Sequence, residues 1–136
     1  MKKKVLFLCT HNACRSQMAE GFLNDRAGDR FEAVSAGSQP TEIHPLAIRV
    51  MKEIGIDISD QRSKSALDFL EEEFDYVITL CDNARRVCPA FPGEYEKIHW
   101  DLEDPAAGED TEEEKLKIFR EVRDRIDARI QDFIRG

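Results

Sequence analysis

The stretch Val5–Ser16 constrains the fold and the chemistry of this chain more than any other. The apolar run Val5–Leu8 has no alternation of polar residues, which is typical of a strand buried on both faces. After Arg15 the apolar residues recur at helical spacing, at Met18, Ala19, Phe22 and Leu23. The sequence therefore predicts a buried strand, a short loop and an amphipathic helix, in that order.

The loop between this strand and this helix has the properties of an oxyanion site. Its backbone N–H groups are expected to face a common bowl, with the positive end of the helix dipole behind it. Cys9 should lie at the floor of the bowl and Arg15 at its rim, where a planar guanidinium can bind two oxygens of one anion. The predicted oxyanion-binding residues are Thr10, His11, Asn12, Ala13, Cys14, Arg15 and Ser16.

Cys9 is the predicted nucleophile of this site. A helix N-terminus and a nearby cation favour the thiolate form of a cysteine, and Ser16 is placed to donate a hydrogen bond to the sulfur. The alternative is a buried structural cysteine, since Cys-x5-Arg alone is a loose pattern. The strand before Cys9, the helix after it and the serine behind Arg15 favour the functional interpretation.

Composition limits the class of protein. The 136 residues fit a single domain spanning 1–136, and the net charge of −8 argues against nucleic acid or an anionic membrane as a partner. No apolar run approaches the ~18 residues of a membrane span, so a cytoplasmic location is expected. The four cysteines then favour catalytic or redox roles over a structural framework. An acidic surface without an obvious apolar patch favours a monomer.

Strands and helices alternate along the chain. Further strands are predicted at Phe31–Ala36, Asp75–Leu80 and Lys97–Trp100, and a further helix after Pro45. Ser63 is predicted to cap a short helix through Phe69, and Thr111 to begin a capping box that opens a long last helix. The apolar stripe of that last helix is Leu116, Phe119, Val122, Ile126, Ile130 and Phe133. This alternation predicts an α/β fold whose parallel sheet is covered by helices on both faces. Ligands bind such sheets beyond the carboxyl ends of the strands, where Cys9 and Cys81 both stand. His44, next to Pro45, is expected at the surface without a role.

Cys81 and Cys88 form a second group of interest. They are either a redox-active pair or two small apolar side chains, and their spacing matches no common zinc pattern, so no metal is expected. A helix between them would hold them about 10 Å apart along its axis, whereas a disulfide needs Cα atoms within about 7 Å. A helical Asp82–Val87 would therefore have to unwind before this pair could close.

A carboxylate near the bowl could act as general acid for a leaving oxygen. The segment Trp100–Pro105 offers Asp101, Glu103 and Asp104 for this role. The proline after Asp104 restricts the chain there and favours Asp104 slightly.

The loop Cys9–Ser16 with the following Gln17–Gly21 resembles the oxyanion loop of thioredoxin-coupled arsenate reductases, which share the fold of low-molecular-weight protein tyrosine phosphatases. The likeness covers nearly the whole chain. It is carried by Ser35-Ala36-Gly37, His44-Pro45, Ala47-Ile48, Gly55–Ser59, Thr79-Leu80-Cys81, Cys88-Pro89, His99-Trp100 and Asp104-Pro105. Cys81 with Cys88 favours the reductases over the phosphatases. The phosphatases also carry aromatic residues after the Asp-Pro, where this chain has Ala106-Ala107.

The resemblance implies four parallel strands in the order 2-1-3-4 and the reduction of arsenate to arsenite. By position, Cys9 is the nucleophile, Arg15 and Ser16 support the anion and the thiolate, and Asp104 is the acid. Cys81 then attacks Cys9, and Cys88 attacks Cys81, which leaves a Cys81–Cys88 disulfide for thioredoxin. Phosphate and sulfate are expected to compete with arsenate, and no bound cofactor is expected.

Two positions depart from the family pattern. His11 stands where the family loop often has glycine, so its ring either points outward or touches the entering anion. Lys64 replaces an aspartate with which some relatives bind potassium, together with residues matching Asn12, Glu20 and Ser35. A lysine cannot ligate a cation, but its ammonium could occupy that cavity and pair with Glu20.

Two other classes of function compete with the reductase. One is a phosphatase acting on phosphotyrosine or a small phosphoester. The other is a non-enzymatic thiol sensor or oxyanion-binding module, which would need neither Arg15 nor Asp104. The chain contains no nicotinamide or flavin motif, so electrons for a reductase would come from a partner.

Overall fold

The fold is a four-stranded parallel sheet in the order β2-β1-β3-β4 with four α-helices, as seen in a computed structural model that describes residues 2–107 and 111–136. The strands are β1 (Lys3–Cys9), β2 (Phe31–Gly37), β3 (Tyr76–Thr79) and β4 (Glu96–His99). The helices are α1 (Arg15–Ala27), α2 (Pro45–Lys52), α3 (Asp82–Val87) and α4 (Glu112–Arg135), with a 3-10 turn at Ala66–Phe69. The predicted α/β class and strand order are confirmed.

β1 is central because its apolar run can be buried from every side. Val5, Leu6 and Phe7 are fully buried, and the strand pairs with β2 on one side and β3 on the other. Leu8 is in register with Ala36 and with Thr79. Cys9 is the last residue of β1, so it lies at the carboxyl edge of the sheet.

The helices enclose a single hydrophobic cluster around β1. Thr111 caps α4 by accepting a hydrogen bond from the Glu114 N–H at 3.2 Å, as its capping pattern predicts. The predicted apolar stripe of α4 is buried at Leu116, Phe119, Val122, Ile126 and Ile130 and half-buried at Phe133. Within the described residues no helix is long and apolar enough to cross a membrane.

Two local predictions need correction. Ser63 does not cap the short helix that ends at Phe69; Ser65 does, by accepting from the Leu67 N–H at 3.2 Å. The Ser63 hydroxyl instead lies 3.1 Å from the main-chain oxygens of both His11 and Asn12, which share its one proton. These contacts matter for the site, because they link the segment after α2 to the loop after β1.

Candidate functional site

The loop between β1 and α1 is held by Asn12. Asn12 has a φ of 52°, in the left-handed region that asparagine tolerates better than most residues. Its side chain is fully buried, with Nδ2 donating to Ser16 Oγ at 2.7 Å and Oδ1 accepting from the Lys64 N–H at 2.8 Å. The predicted loop residue Asn12 therefore shapes the bowl from behind, and its side chain does not line the cavity.

β2 approaches this loop closely at Gly37. A Cβ atom at Gly37 would lie 2.5 Å from the main-chain oxygen of Thr10 and 2.9 Å from the Asn12 nitrogen. Both of those atoms are backbone, which cannot move aside without changing the loop. Only glycine fits here, so the shape of the bowl depends on β2 as well as on β1.

Cys9 and Ser16 are in contact, as the sequence predicts. Cys9 Sγ lies 2.8 Å from Ser16 Oγ, and both side chains are buried. The Asn12 amide nitrogen can only donate, so Ser16 Oγ accepts from Asn12 and keeps its own proton available for the sulfur. A hydrogen bond in that direction stabilises a thiolate on Cys9.

Arg15 carries an unused donor. It is 7% exposed, and Nη1 donates to the main-chain oxygen of Leu102 at 3.1 Å. Its Nε is buried and has no hydrogen-bond partner within the described part of the chain. A buried donor without a partner costs stability, so this atom is best explained as a binding group for an anion.

Asp104 faces the same guanidinium. Its Oδ2 lies 4.0 Å from Arg15 Nη2, and the side chain is partly exposed at 37%. Of the three carboxylates in the sequence prediction, Asp104 is the one that lines the cavity beside Cys9 and Arg15.

These groups surround a cavity of about 220 Å³ at the carboxyl edge of the sheet. Its lining residues are Cys9, His11, Ala13, Cys14, Arg15, Thr41, Glu42, His44, Asp104 and Ala106. Burial raises the pKa of the Cys14 thiol, and nearby Asp104 and Cys9 add to this effect, so Cys14 is held as a neutral thiol. Thr10 and Ser16, like Asn12, do not contribute side chains to the lining.

Cys81 lies beside the loop, two residues beyond Thr79, the last residue of β3. Its sulfur accepts from the Ala84 N–H at 3.4 Å and lies 3.4 Å from Thr10 Oγ1. Asn83 Nδ2 donates to Thr10 Oγ1 at 3.1 Å, which leaves the Thr10 proton free to reach Cys81. The N-terminus of α3 and Thr10 thus both offer hydrogen bonds to this sulfur.

Cys88 follows α3 directly and is half-buried. It shares a small apolar hollow with Cys9, Ala84 and Val87. Burial raises the pKa of the Cys88 thiol, whereas the nearby Lys97 lowers it. All four cysteines are free, and Asp82–Val87 is helical, which is the condition under which Cys81 and Cys88 cannot be bonded.

Behind the loop, Glu20 is enclosed by polar partners. Ser35 Oγ donates to Glu20 Oε1 at 2.7 Å, and Lys64 Nζ lies 3.6 Å from the same oxygen. Burial raises the pKa of Glu20, and Lys64 opposes that effect. Among the described residues, no three His, Cys, Asp or Glu side chains are arranged to hold a metal ion.

His44 is the residue that the sequence prediction misjudged most clearly. It is half-buried rather than exposed, it lines the cavity, and its Nδ1 accepts from the Leu46 N–H at 3.1 Å to cap α2. Histidine is an uncommon cap, so the sequence pattern gave no signal for it. Only the fold brings it next to Arg15 and Asp104.

Fold and site together define a thiol protein with a cavity lined by Cys9 and Arg15 at the carboxyl edge of a parallel sheet. A family model described as low molecular weight phosphotyrosine protein phosphatase matches residues 4–135. A protein named arsenate reductase from Halalkalibacterium halodurans is 49% identical over 132 residues, which are 97% of this chain and 95% of that protein. The chain therefore belongs to the low molecular weight phosphotyrosine protein phosphatase family, and within it resembles the arsenate reductases.

Solved structures agree with this assignment. A structure described as an arsenate reductase in the phosphate binding state superposes with a TM-score of 0.79 at 37% identity, covering 97% of this chain and 96% of the other. A thioredoxin-dependent arsenate reductase from Corynebacterium glutamicum superposes with a TM-score of 0.77 at 40% identity, covering 98% of this chain and 61% of the other.

Proposed function

We propose that this protein reduces arsenate to arsenite through a relay of three cysteines and passes the resulting disulfide to thioredoxin. The observation that carries the proposal is the clustering of Cys9, Cys81 and Cys88 at one edge of the sheet. Beside them lies a cavity with an Arg15 Nε that has no partner among the described residues. A simple oxyanion-binding module would need the cavity but not the three cysteines. A thiol sensor would need reactive cysteines but not Arg15 as an anion clamp.

In the first step the Cys9 thiolate attacks the arsenic atom of the anion held by the loop and Arg15. A sulfur–arsenic bond forms, and an oxygen leaves as water after taking a proton from Asp104. Asp104 is suited to this role because it faces Arg15 from the cavity wall.

In the second step the Cys81 thiolate attacks the Cys9 sulfur. The sulfur–arsenic electron pair stays on arsenic, which is reduced from As(V) to As(III) and released as arsenite, and a Cys9–Cys81 disulfide forms. β1 and β3 are neighbouring strands, which supports this step because it brings Cys9 and Cys81 to adjacent positions on one edge. The Thr10 hydroxyl 3.4 Å from Cys81 Sγ would stabilise its thiolate.

In the third step Cys88 attacks Cys81 and releases Cys9 as a thiolate. The six residues of α3 must unwind for this bond to form, because a helix holds its two ends about 10 Å apart. Unwinding is inexpensive here, since Ala84 is the one buried residue of α3. An external dithiol then reduces Cys81–Cys88, which fits a cytoplasmic location with a supply of reduced thiols.

A phosphoester hydrolase is the second candidate, and the family that the chain belongs to supports it. Cys9, Arg15 and Asp104 would suffice for attack on phosphorus and protonation of a leaving oxygen. One observation argues against a phosphotyrosine substrate. The residue after the Asp-Pro that lines the cavity is Ala106, whose methyl group cannot stack on the ring of a tyrosine.

We also propose that Lys64 serves as a built-in cation behind the loop. Its ammonium lies 3.6 Å from Glu20, and its main-chain N–H binds Asn12 Oδ1 at 2.8 Å. The ammonium thus offsets the charge of the buried Glu20, which is a task that potassium would have in the resembling site, whereas the contact with Asn12 is made by the main chain and does not depend on the lysine side chain.

One paired assay tests the function. Arsenate-dependent NADPH consumption is measured with thioredoxin and thioredoxin reductase, beside hydrolysis of an aryl phosphate. The wild type should consume NADPH only when arsenate and thioredoxin are both present, and Cys9→Ser should abolish turnover because a neutral hydroxyl is a far weaker nucleophile. Rapid aryl phosphate hydrolysis without arsenate reduction would favour the hydrolase instead.

A further inference from the structure

His44 lies in the wall of the oxyanion cavity, yet none of the three proposed steps uses it. It lines the same cavity as Arg15 and Asp104. Its main-chain N–H donates to the oxygen of Ala13 at 3.0 Å, so its backbone is tied to the oxyanion loop itself. This hydrogen bond holds the backbone of His44 in a fixed position relative to the loop.

The ring of His44 is fixed as well as its backbone. Nδ1 accepts a hydrogen bond from the Leu46 N–H at 3.1 Å, and the ring packs on fully buried Phe119 with 4.8 Å between centroids. A ring nitrogen that accepts from a backbone amide carries no proton, so the proton of the neutral ring is on Nε2. His44 therefore presents an N–H donor on the side of the ring opposite to its cap.

The surroundings of His44 favour the neutral form of its ring. Burial and the Lys115 ammonium lower the pKa of His44, whereas the Asp104 carboxylate opposes them. A neutral imidazole with Nε2–H can donate to an anion without exchanging a proton with it, and it leaves the role of acid to Asp104.

The cavity offers binding groups to more than one oxygen of an anion. The buried Nε of Arg15 has no partner in the described part of the chain, which points to a ligand oxygen at the inner end of the cavity. Attack by Cys9 in line with a leaving oxygen directs that oxygen away from the floor and towards the mouth. His44 and Asp104 are two of the groups that line the way out.

We propose that His44 is a substrate-binding residue that donates a hydrogen bond from Nε2 to an oxygen of the oxyanion on the side away from Cys9. The proposal rests on the anion-binding half of the proposed function and is independent of the thiol relay.

The first test is made on the reduced wild-type protein, with inorganic phosphate as the probe. Nitrogen-detected NMR of the histidine rings should find His44 protonated on Nε2, and this nitrogen should shift on saturation together with the loop amides. His99, on β4 and outside the cavity lining, serves as the internal control and should not shift. A proton on Nδ1 of His44, or an unchanged Nε2 while the loop amides respond, would overturn the proposal.

The second test uses His44→Ser, which keeps a capping oxygen for Leu46 and removes the ring. Phosphate affinity at neutral pH should fall by more than about tenfold, as expected for one hydrogen bond to a charged group. Unchanged phosphate affinity in a variant with the wild-type melting temperature would refute the role. Failure of the relay would appear in cysteine mapping and leave both phosphate experiments intact.

Discussion

Cys9, Ser16 and Asn12 form a chain of hydrogen bonds whose direction is set at its far end. Because the Asn12 amide nitrogen can only donate, the Ser16 hydroxyl proton is free for the Cys9 sulfur 2.8 Å away. Thr10 and Asn83 repeat this arrangement at Cys81, with 3.1 Å between Asn83 Nδ2 and Thr10 Oγ1. Cys9 and Cys81, the first two nucleophiles of the proposed relay, are thus each paired with a hydroxyl that also accepts a hydrogen bond from a side-chain amide.

Among the single residues of the site, Arg15 gives a testable prediction. Arg15→Lys replaces a planar fork by a point charge, which cannot donate to Leu102 and to two anion oxygens together. We expect kcat/KM for arsenate to fall about 100-fold, comparable to the loss of an oxyanion-hole donor. The measurement is steady-state arsenate reduction, and a loss of less than about threefold would show that Arg15 is not the anion clamp.

A second prediction concerns Lys64. If its ammonium takes the place of a cation, the melting temperature of the wild type should not change when potassium replaces sodium at equal ionic strength. Lys64→Gln leaves the buried Glu20 without its cation and should lower the stability by about 1–2 kcal/mol. A clear rise in melting temperature of the wild type with potassium would argue for a true cation site.

Sequence reasoning found the residues whose roles follow from neighbours along the chain. Cys9, Arg15 and Ser16 lie within one strand–loop–helix unit, so local pattern was enough to predict that Ser16 contacts Cys9. His44 and Asn83 were not found, because their contacts with the loop depend on how α2 and α3 pack against it. No periodicity or motif encodes such a contact between segments far apart in the chain.

At the scale of elements, α3 and α4 differ in how firmly they are held. α3 has six residues and buries Ala84, whereas α4 has 24 residues and buries a full stripe against the core. A short exposed helix is easily unwound, and the thiol exchange between its ends requires that. The stable frame and the mobile part of the proposed relay are therefore different elements.

Glu53, just after α2, links α2 to α4 and gives a pH prediction. Hydrogen bonds from Arg120, and then Arg123, lower the pKa of Glu53 to about 2. Because the folded pKa lies below the ordinary value of 4.5, the carboxylate stabilises the fold above about pH 4.5, and this contribution is lost as the pH falls towards 2.

Glu53→Gln should therefore lower the melting temperature at neutral pH by a few degrees, a modest change because the ion pairs are near the surface. The difference from the wild type should shrink as the pH is lowered through this range. Glu121→Gln, at an exposed position on α4, is the matched control. A difference that stays constant down to about pH 2 would contradict the proposed link.

The elements themselves were largely predictable, and their ends were less so. The unbroken apolar run of β1 and the capping box of Thr111 identify their elements without any tertiary information. The local pattern predicts Ser63 as the cap, whereas Ser65 is the cap in the structure, because either serine can cap a helix in isolation. The loop contacts of Ser63 decide between them, and those contacts exist only in the folded chain.

At the scale of the whole molecule, strand order determines the chemistry. The order β2-β1-β3-β4 makes β1 and β3 neighbours, so Cys9 and Cys81 reach the same edge although 71 residues separate Thr10 from Cys81. β2 reaches the same edge on the other side and closes on the loop through Gly37. The proposed anion cavity and the three thiols are thereby brought together at one edge of the sheet.

The central claim is that three cysteines act in sequence, and Cys88→Ser tests it most directly. This variant keeps the cavity, since Cys88 does not line it, but it lacks the thiol that would release Cys9. Cys81→Ser is the matched control and should form no disulfide between its positions 9 and 81.

The decisive measurement is peptide mapping of Cys88→Ser after one equivalent of arsenate. The relay predicts one round of arsenite release, no further turnover, and Cys9 trapped in a disulfide with Cys81. Steady arsenate reduction with Cys9 free and Cys81 unpaired would contradict the relay of three cysteines.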